Sequence, residues 1–391
     1  MSSLGLINGR VLSGRKFINN CSVLIINNKI VEITSEEIKA DRIIDCKNKV
    51  IASGYIDTHT HGGYLCDVMQ ATRESIDTIA RYHLETGITT FYPTTLTAPT
   101  NSLILAVDNI RQAMIDNSYA RIGGIHLEGP YFTPYNAGAQ PPKYLVRPTI
   151  SNTKFIFENS DIIKRISIAP DVVGISEYVE KFSQAGLQVS GGHDNAVASE
   201  IYPCIENGMT SVTHLFNCTS KDTRRPLPHK QAGLTNIGLA DDRLYVEIIA
   251  DNRHTPFPEF TVAMRCKGAE KIVLVSDSLS VAGMGKIKHY LGKQGEGYVI
   301  EVLDDVAILP ELNTYAGSVT PISKMVRLIL SKYDLPAEDI ICMATINPAT
   351  MMGLKDRGDI KVGMLADINI MNDKYEIEQT ILNGMIIPNS K

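Results

Sequence analysis

No apolar run in this 391-residue sequence approaches the roughly 18 residues that a membrane-spanning helix needs. The opening Met1-Ser2-Ser3-Leu4-Gly5-Leu6-Ile7-Asn8 lacks the basic stretch and following apolar stretch of a secretory signal. No Cys-x-x-Cys pair occurs. The seven cysteines are dispersed and odd in number, which predicts free, mostly buried thiols and a cytoplasmic, reducing setting. An excess of basic charge is missing too. Lys+Arg of 38 against Asp+Glu of 43 gives a net charge of −5, which argues against a general nucleic-acid or membrane-surface binder. No G-x-G-x-x-G follows the first apolar segment of the alternating middle region, which weakens a dinucleotide-binding reading. There is no fixed-period repeat and no low-complexity tract. What remains is an ordinary globular composition, 44% hydrophobic and 21% charged, in a chain long enough to bury a large core.

The two ends share one style. Residues 4–50 read as short strands broken by turns, with Asn27-Asn28-Lys29 joining an apolar run to its return strand. From about residue 356 the chain again shows short Ile/Val/Leu runs, punctuated by Gly358, Gly363 and Asn383-Gly384. This predicts one small β-sandwich domain built from residues 1–51 plus 356–391. The middle, 52–355, alternates. Apolar segments at 50–56, 89–92, 122–127, 166–169, 187–190, 210–213, 245–250 and 271–276 are candidate strands. Helical stretches at 73–85, 102–116, 175–184, 196–206 and 259–267 lie between them. Gly87, Gly186, Gly208 and Gly268 follow four of these helices, as C-terminal caps require. Eight strands alternating with helices predict an α/β fold, a (β/α)8 TIM-type barrel, with a doubly wound open sheet as the rival.

In such a barrel the C-terminal strand ends share the face that carries chemistry. The first strand leads into Asp57-Thr58-His59-Thr60-His61, the third into His126-Leu127-Glu128, the fifth into His193 and the sixth into His214. The seventh leads to Asp251 and His254, and the eighth to Asp277. Each has a plain alternative. His59-x-His61 alone is weak, Glu128 alone could be a paired core carboxylate, His193 and His214 could be satisfied loop residues, and Asp277 could cap a helix. Together they point to a metal, because several carboxylates and imidazoles at one barrel mouth are costly to bury without a cation. The donors are nitrogen and oxygen only, which suits a divalent ion, with Zn, Fe, Mn, Ni and Co all compatible. The reaction class that follows is metal-assisted hydrolysis, with Asp277 as the candidate base. His83 and His126 read as structural, and His289 receives no role.

Lys221, Arg224, Arg225, His229 and Lys230 crowd one loop after the sixth strand. In an acidic chain this fits either an anionic substrate, such as a phosphate, or a solvated basic surface.

These motifs resemble the N-acetylglucosamine-6-phosphate deacetylases of the amidohydrolase superfamily along nearly the whole chain. The resemblance runs through Ser53-Gly54-Tyr55-Ile56-Asp57-Thr58-His59-Thr60-His61-Gly62, His126-Leu127-Glu128-Gly129-Pro130 and Gly192-His193-Asp194. It continues in Thr213-His214-Leu215-Phe216-Asn217, Asp251-Asn252-Arg253-His254, Val275-Ser276-Asp277 and Ala316-Gly317-Ser318. It implies that Glu128, His193 and His214 are the principal metal ligands and that His59 and His61 bind a second ion with Glu128 shared. It also implies that Asp277 is the catalytic carboxylate, that His254, Asn217 and Cys218 meet the substrate, and that Arg224 or Arg225 meets its phosphate. A homodimer in which an Arg reaches the partner subunit's phosphate is implied as well. The fourth strand leads into Ala169-Pro170-Asp171, without the bridging Lys of dihydroorotase-like members. Neither His193 nor His214 opens the His-x-x-Glu pattern of nucleobase deaminases.

Three positions depart from the family pattern. Gln140 stands where a His usually assists the acetyl carbonyl, Leu227 replaces the Gly of Arg-x-Pro-Gly in Arg224-Arg225-Pro226-Leu227, and Asn252 replaces the Gly of Asp-Gly-x-His in Asp251-Asn252-Arg253-His254. All three touch the substrate side. The expected activity is deacetylation of an N-acetyl amino-sugar 6-phosphate. The rivals are a galactosamine or unphosphorylated N-acyl substrate and, further off, a barrel that binds a sugar phosphate without turning it over.

Overall fold

A computed structural model describes residues 2–388 except 222, 225–228, 294 and 296, and leaves the side chains of 223 and 224 undescribed. Eight parallel strands form the barrel wall: β1 (Tyr55–Thr60), β2 (Ile88–Thr95), β3 (Ile125–Glu128), β4 (Ile163–Ile168), β5 (Gln188–Gly191), β6 (Met209–Val212), β7 (Tyr245–Ile248) and β8 (Ile272–Leu274). Neighbours in sequence pair in parallel all the way round. The ring closes through a short parallel bridge between Thr60 and Ser278, with the amide of Asp277 donating to the carbonyl of His59 at 2.9 Å.

Helices follow each strand: α1 (Arg73–Glu85), α2 (Thr100–Asp116), α3 (Ile150–Glu158), α4 (Ile175–Gln184), α5 (Ala198–Glu206), α6 (Leu234–Ala240), α7 (Phe257–Lys267) and α8 (Ile322–Lys332). Helix α1 shows why. Thr72 caps its start by accepting from the Ser75 amide, and Ser75 answers by bonding back to Thr72. Ile76, Ile79, Ala80 and Leu84 then share one buried stripe, and Gly87 follows with φ of +87°. The helices expected to start at 102, 196 and 259 begin at Thr100, Ala198 and Phe257. No described helix is long and apolar enough to cross a membrane.

Two strand expectations are corrected: the segment 122–127 takes in the end of a short strand, Arg121–Ile122, that pairs with β2 before β3 begins at Ile125. The apolar segment 50–56 is two strands, not one. Val50–Ser53 pairs with Ser3–Ser13 and with Ile368–Met371 in the terminal sheet, and the chain crosses at Gly54 into β1. A Cβ at Gly54 would lie 2.2 Å from the Thr89 side chain, so only glycine fits this crossing. The terminal strands form one eight-stranded sheet. Bulges between Leu6 and Val11 let Ser3–Ser13 pair first with Arg42–Asp45 and then with Val50–Ser53. This sheet closes on its own apolar cluster, drawn from both chain ends through Leu6, Val23, Ile25, Ile51, Ile368 and Ile381. The sequence reading missed a four-stranded antiparallel sheet between β8 and α8 (Lys288–Tyr290, Val299–Leu303, Val306–Leu309, Thr314–Gly317), which reaches the barrel mouth.

Candidate metal centre and active site

The strand ends bring their polar residues together. His59 is the last residue but one of β1 and His61 lies just past its end. Glu128 is the last residue of β3, and His193, His214 and Asp277 lie two or three residues beyond β5, β6 and β8. Two overlapping triads result, His59–His61–Glu128 and Glu128–His193–His214, all buried. Glu128 Oε1 is 3.1 Å from His193 Nε2, 3.2 Å from His214 Nε2 and 3.4 Å from His59 Nε2, while Oε2 is 3.3 Å from His61 Nε2. Asp277 Oδ1 sits at the edge, 3.2 Å from His61 Nε2 and 3.4 Å from His59 Nε2. His193, His214 and Asp277 hold φ of +49°, +31° and +45°, a backbone region that costs a non-glycine residue about 1–3 kcal/mol.

The donor set fits a cation on its own terms. His61, His193 and His214 each donate their Nδ1 proton to a main-chain carbonyl, of Thr94 at 3.1 Å and of Asn136 and Asn217 at 3.0 Å. In the neutral ring that leaves Nε2 as a bare lone pair. His193 and His214 then turn these lone pairs toward each other at 3.1 Å and toward the same carboxylate oxygen. Acceptors gathered this way need positive charge between them. The electrostatics of His59 and His61 point the same way. Burial opposes their charging, yet Glu128 and Asp277 push His59 up to about 9 and His61 up to about 10. Despite burial, the surrounding imidazoles hold Glu128 well below the usual carboxylate range and lower Asp277 as well. A divalent ion supplies that positive charge without protons.

His61, Glu128, His193 and His214 line a cavity of about 220 Å³. Gln140, Asn217, Cys218, His254 and Asp277 line it, with Phe216, Thr314 and Tyr315. His254 gives Nδ1 to Asp251 at 2.8 Å, and Ser318 donates to the same Asp251 oxygen at 2.9 Å. The buried Nε2 of His254 has no hydrogen-bond partner. Gln140 is engaged differently from the sequence expectation. Its Nε2 donates to Glu128 Oε2 at 2.5 Å and its Oε1 accepts from the Thr97 amide at 2.8 Å. One amide proton is thus spent on a candidate metal ligand and one is left over. Nearby, Gly138 lets the chain pass close to Cys218: a Cβ there would lie 2.7 Å from Cys218 Sγ.

The Arg224 side chain and all of Arg225 lie outside the described residues, so the basic loop is not placed against the cavity. His126 and His83 are buried beside the site. His126 bonds Ser167 and Thr94, and His83 bonds Thr60. Sequence reasoning missed Tyr315, whose ring lies 5.2 Å from that of His254, because the sheet that carries it was not recognised. It also passed over the Thr94 and Asn136 carbonyls, which leave no side-chain signal.

Comparison with known proteins agrees with this geometry. The chain is 29% identical over 386 residues to the N-acetylglucosamine-6-phosphate deacetylase of Bacillus subtilis (strain 168), covering 96% of this chain and 95% of that one. It is 28% identical over 344 residues to the N-acetylgalactosamine-6-phosphate deacetylase of Escherichia coli O157:H7, covering 86% and 88%. The solved N-acetylglucosamine-6-phosphate deacetylase of Thermotoga maritima superposes with a TM-score of 0.87 at 26% identity, over 99% of this chain and 100% of that one. The amidohydrolase family model matches residues 50–387, which take in every strand of the barrel and every residue of both triads. A closed parallel barrel with imidazoles and one shared carboxylate at its mouth, matched over that length, places the chain in the amidohydrolase family.

Proposed function

We propose that the protein hydrolyses the N-acetyl group of N-acetylglucosamine 6-phosphate, giving the amino-sugar phosphate and acetate. The observation that carries this reading is Glu128, within reach of four imidazoles, with Asp277 at the rim of the same cavity. The named activities of the relatives support the substrate class. Glu128, His193 and His214 would hold one divalent ion, and His59 and His61 a second with Glu128 shared. Zinc is our first choice. When bound, such ions polarise a carbonyl and make water acidic enough to ionise near neutral pH.

The chain's own residues do the rest. Asp277 accepts a proton from the attacking water as its oxygen bonds to the acetyl carbon, then delivers that proton to the nitrogen as the C–N bond breaks. Acetate and a free amine are the balanced products. The remaining Gln140 N–H would serve as a donor to the acetyl carbonyl oxygen, where charge develops. His254, oriented by Asp251, offers Nε2 to a substrate hydroxyl or phosphate oxygen. Arg224 or Arg225 would pair with the phosphate, in a homodimer whose loops complete each other's sites. The free cysteines support a cytoplasmic setting.

An acetate-release assay tests the reading. The panel is N-acetylglucosamine 6-phosphate, its galactosamine epimer and unphosphorylated N-acetylglucosamine, with Zn, Fe, Mn, Ni and Co each supplied. Preferred turnover of the first is expected. Acetate from none of them, with any metal, contradicts it.

A further inference from the structure

Three of the four site imidazoles lean on main-chain carbonyls. His59 does not. Its Nδ1 is buried and has no hydrogen-bond partner. The polar atom facing it is Oε2 of Glu247, 3.6 Å away, and that oxygen is also without a hydrogen bond. Glu247 lies inside the barrel on β7 and is fully buried. Its other oxygen, Oε1, accepts from Thr58 Oγ1 at 2.8 Å and from the buried guanidinium of Arg165 on β4. Arg165 in turn donates to the Thr58 carbonyl and hydroxyl at 3.3 and 3.2 Å, one residue before His59.

A plain buried ion pair would explain Glu247 only in part. Such a pair needs an arginine and a carboxylate whose oxygens are both used. Here one oxygen is occupied twice, while the other is left facing an imidazole nitrogen that has no other partner. From this geometry we infer that Glu247 is a positioning residue. It fixes the proton of His59 on Nδ1 and leaves the Nε2 lone pair free for the second ion. Arg165 and Thr58 hold Glu247 at that angle. The inference rests on the two-ion reading above.

Glu247→Gln separates this role from a structural one. The amide oxygen still serves Arg165 and Thr58, while the NH2 now faces Nδ1 and drives the ring proton to Nε2, removing the lone pair. Metal-stripped wild-type protein titrated with Zn should take up two ions per chain. Glu247→Gln should take up the first as tightly, with the second weakened about tenfold to a hundredfold, the usual effect of losing the partner behind a metal-bound imidazole. Because the variant could unfold, the 15N spectrum of histidine-labelled, Zn-loaded wild-type protein is the companion measurement. A His59 proton on Nδ1 is expected, and a proton on Nε2 overturns the inference. Two tight ions on both proteins overturn it while leaving the two-ion reading standing. A single ion on the wild-type chain overturns that reading and this inference with it.

Discussion

Replacing Asp277 by Asn leaves shape and volume almost unchanged and removes the carboxylate's charge together with its ability to carry a proton. In the structure Asp277 lies outside the Glu128–His193–His214 triad and touches the other triad through one oxygen, at 3.2 and 3.4 Å. The Asn amide oxygen can keep that place, so the principal ion should stay. What is lost is general acid–base catalysis, which contributes roughly 10²–10⁴ in rate. At about 1.36 kcal/mol per decade, that is a barrier rise of roughly 3–5 kcal/mol. Acetate release by Asp277→Asn should therefore show kcat down by two to four decades, with KM little changed. Metal analysis of the same sample should match the wild type. Turnover within a few-fold of wild type would show that another group moves the proton. A matching loss of metal and activity would show that Asp277 acts as a ligand instead.

Three further outcomes follow from the same geometry. Glu128→Gln removes the charge shared by both triads, so dialysed protein should retain neither ion; retention of the ion between His193 and His214 at wild-type affinity would contradict the sharing. Arg165→Met leaves Glu247 charged, buried and bonded only to Thr58, which should cost about 3–5 kcal/mol in urea unfolding; a loss under about 1 kcal/mol would show that Glu247 is held in another way. Burial lowers the pKa of His83 to about 3, below its value in the unfolded chain. The unfolded state therefore binds the proton first, and the stability tied to this residue, full above about pH 6.5, drains away toward pH 3 at up to about 1.4 kcal/mol per unit. The difference in unfolding free energy between wild type and His83→Gln, followed from pH 7 to 4.5, should shrink accordingly, and a constant difference would refute the assignment.

The barrel and the metal cluster were legible in the sequence for one physical reason. A parallel strand buried on both faces is an apolar run, and the first polar residue after it marks the mouth of the barrel. Glu128 ends such a strand, and His193, His214 and Asp277 follow theirs within three residues. The same rule hid the crossing at Gly54, because Val50–Ser53 and Tyr55–Thr60 belong to different sheets but both need buried side chains. The sheet of 288–317 was missed because its strands run three to five residues and mix polar with apolar positions, too little for a period to register. Glu247 was invisible for the opposite reason. It sits in an apolar strand as a single charge, and its meaning appears only when β4 brings Arg165 across the barrel to it. The sequence reading aimed Gln140 at the substrate. No pattern along the chain could say that one of its protons would lie on Glu128.

If Glu128 joins two imidazole pairs around divalent ions, both ions can be located directly. Anomalous scattering from a crystal of the zinc-loaded protein, recorded at the zinc edge, tests that arrangement. One peak bounded by Glu128, His193 and His214 and a second bounded by His59, His61 and Glu128 are predicted. No peak at either place, or peaks held by other side chains, would contradict it.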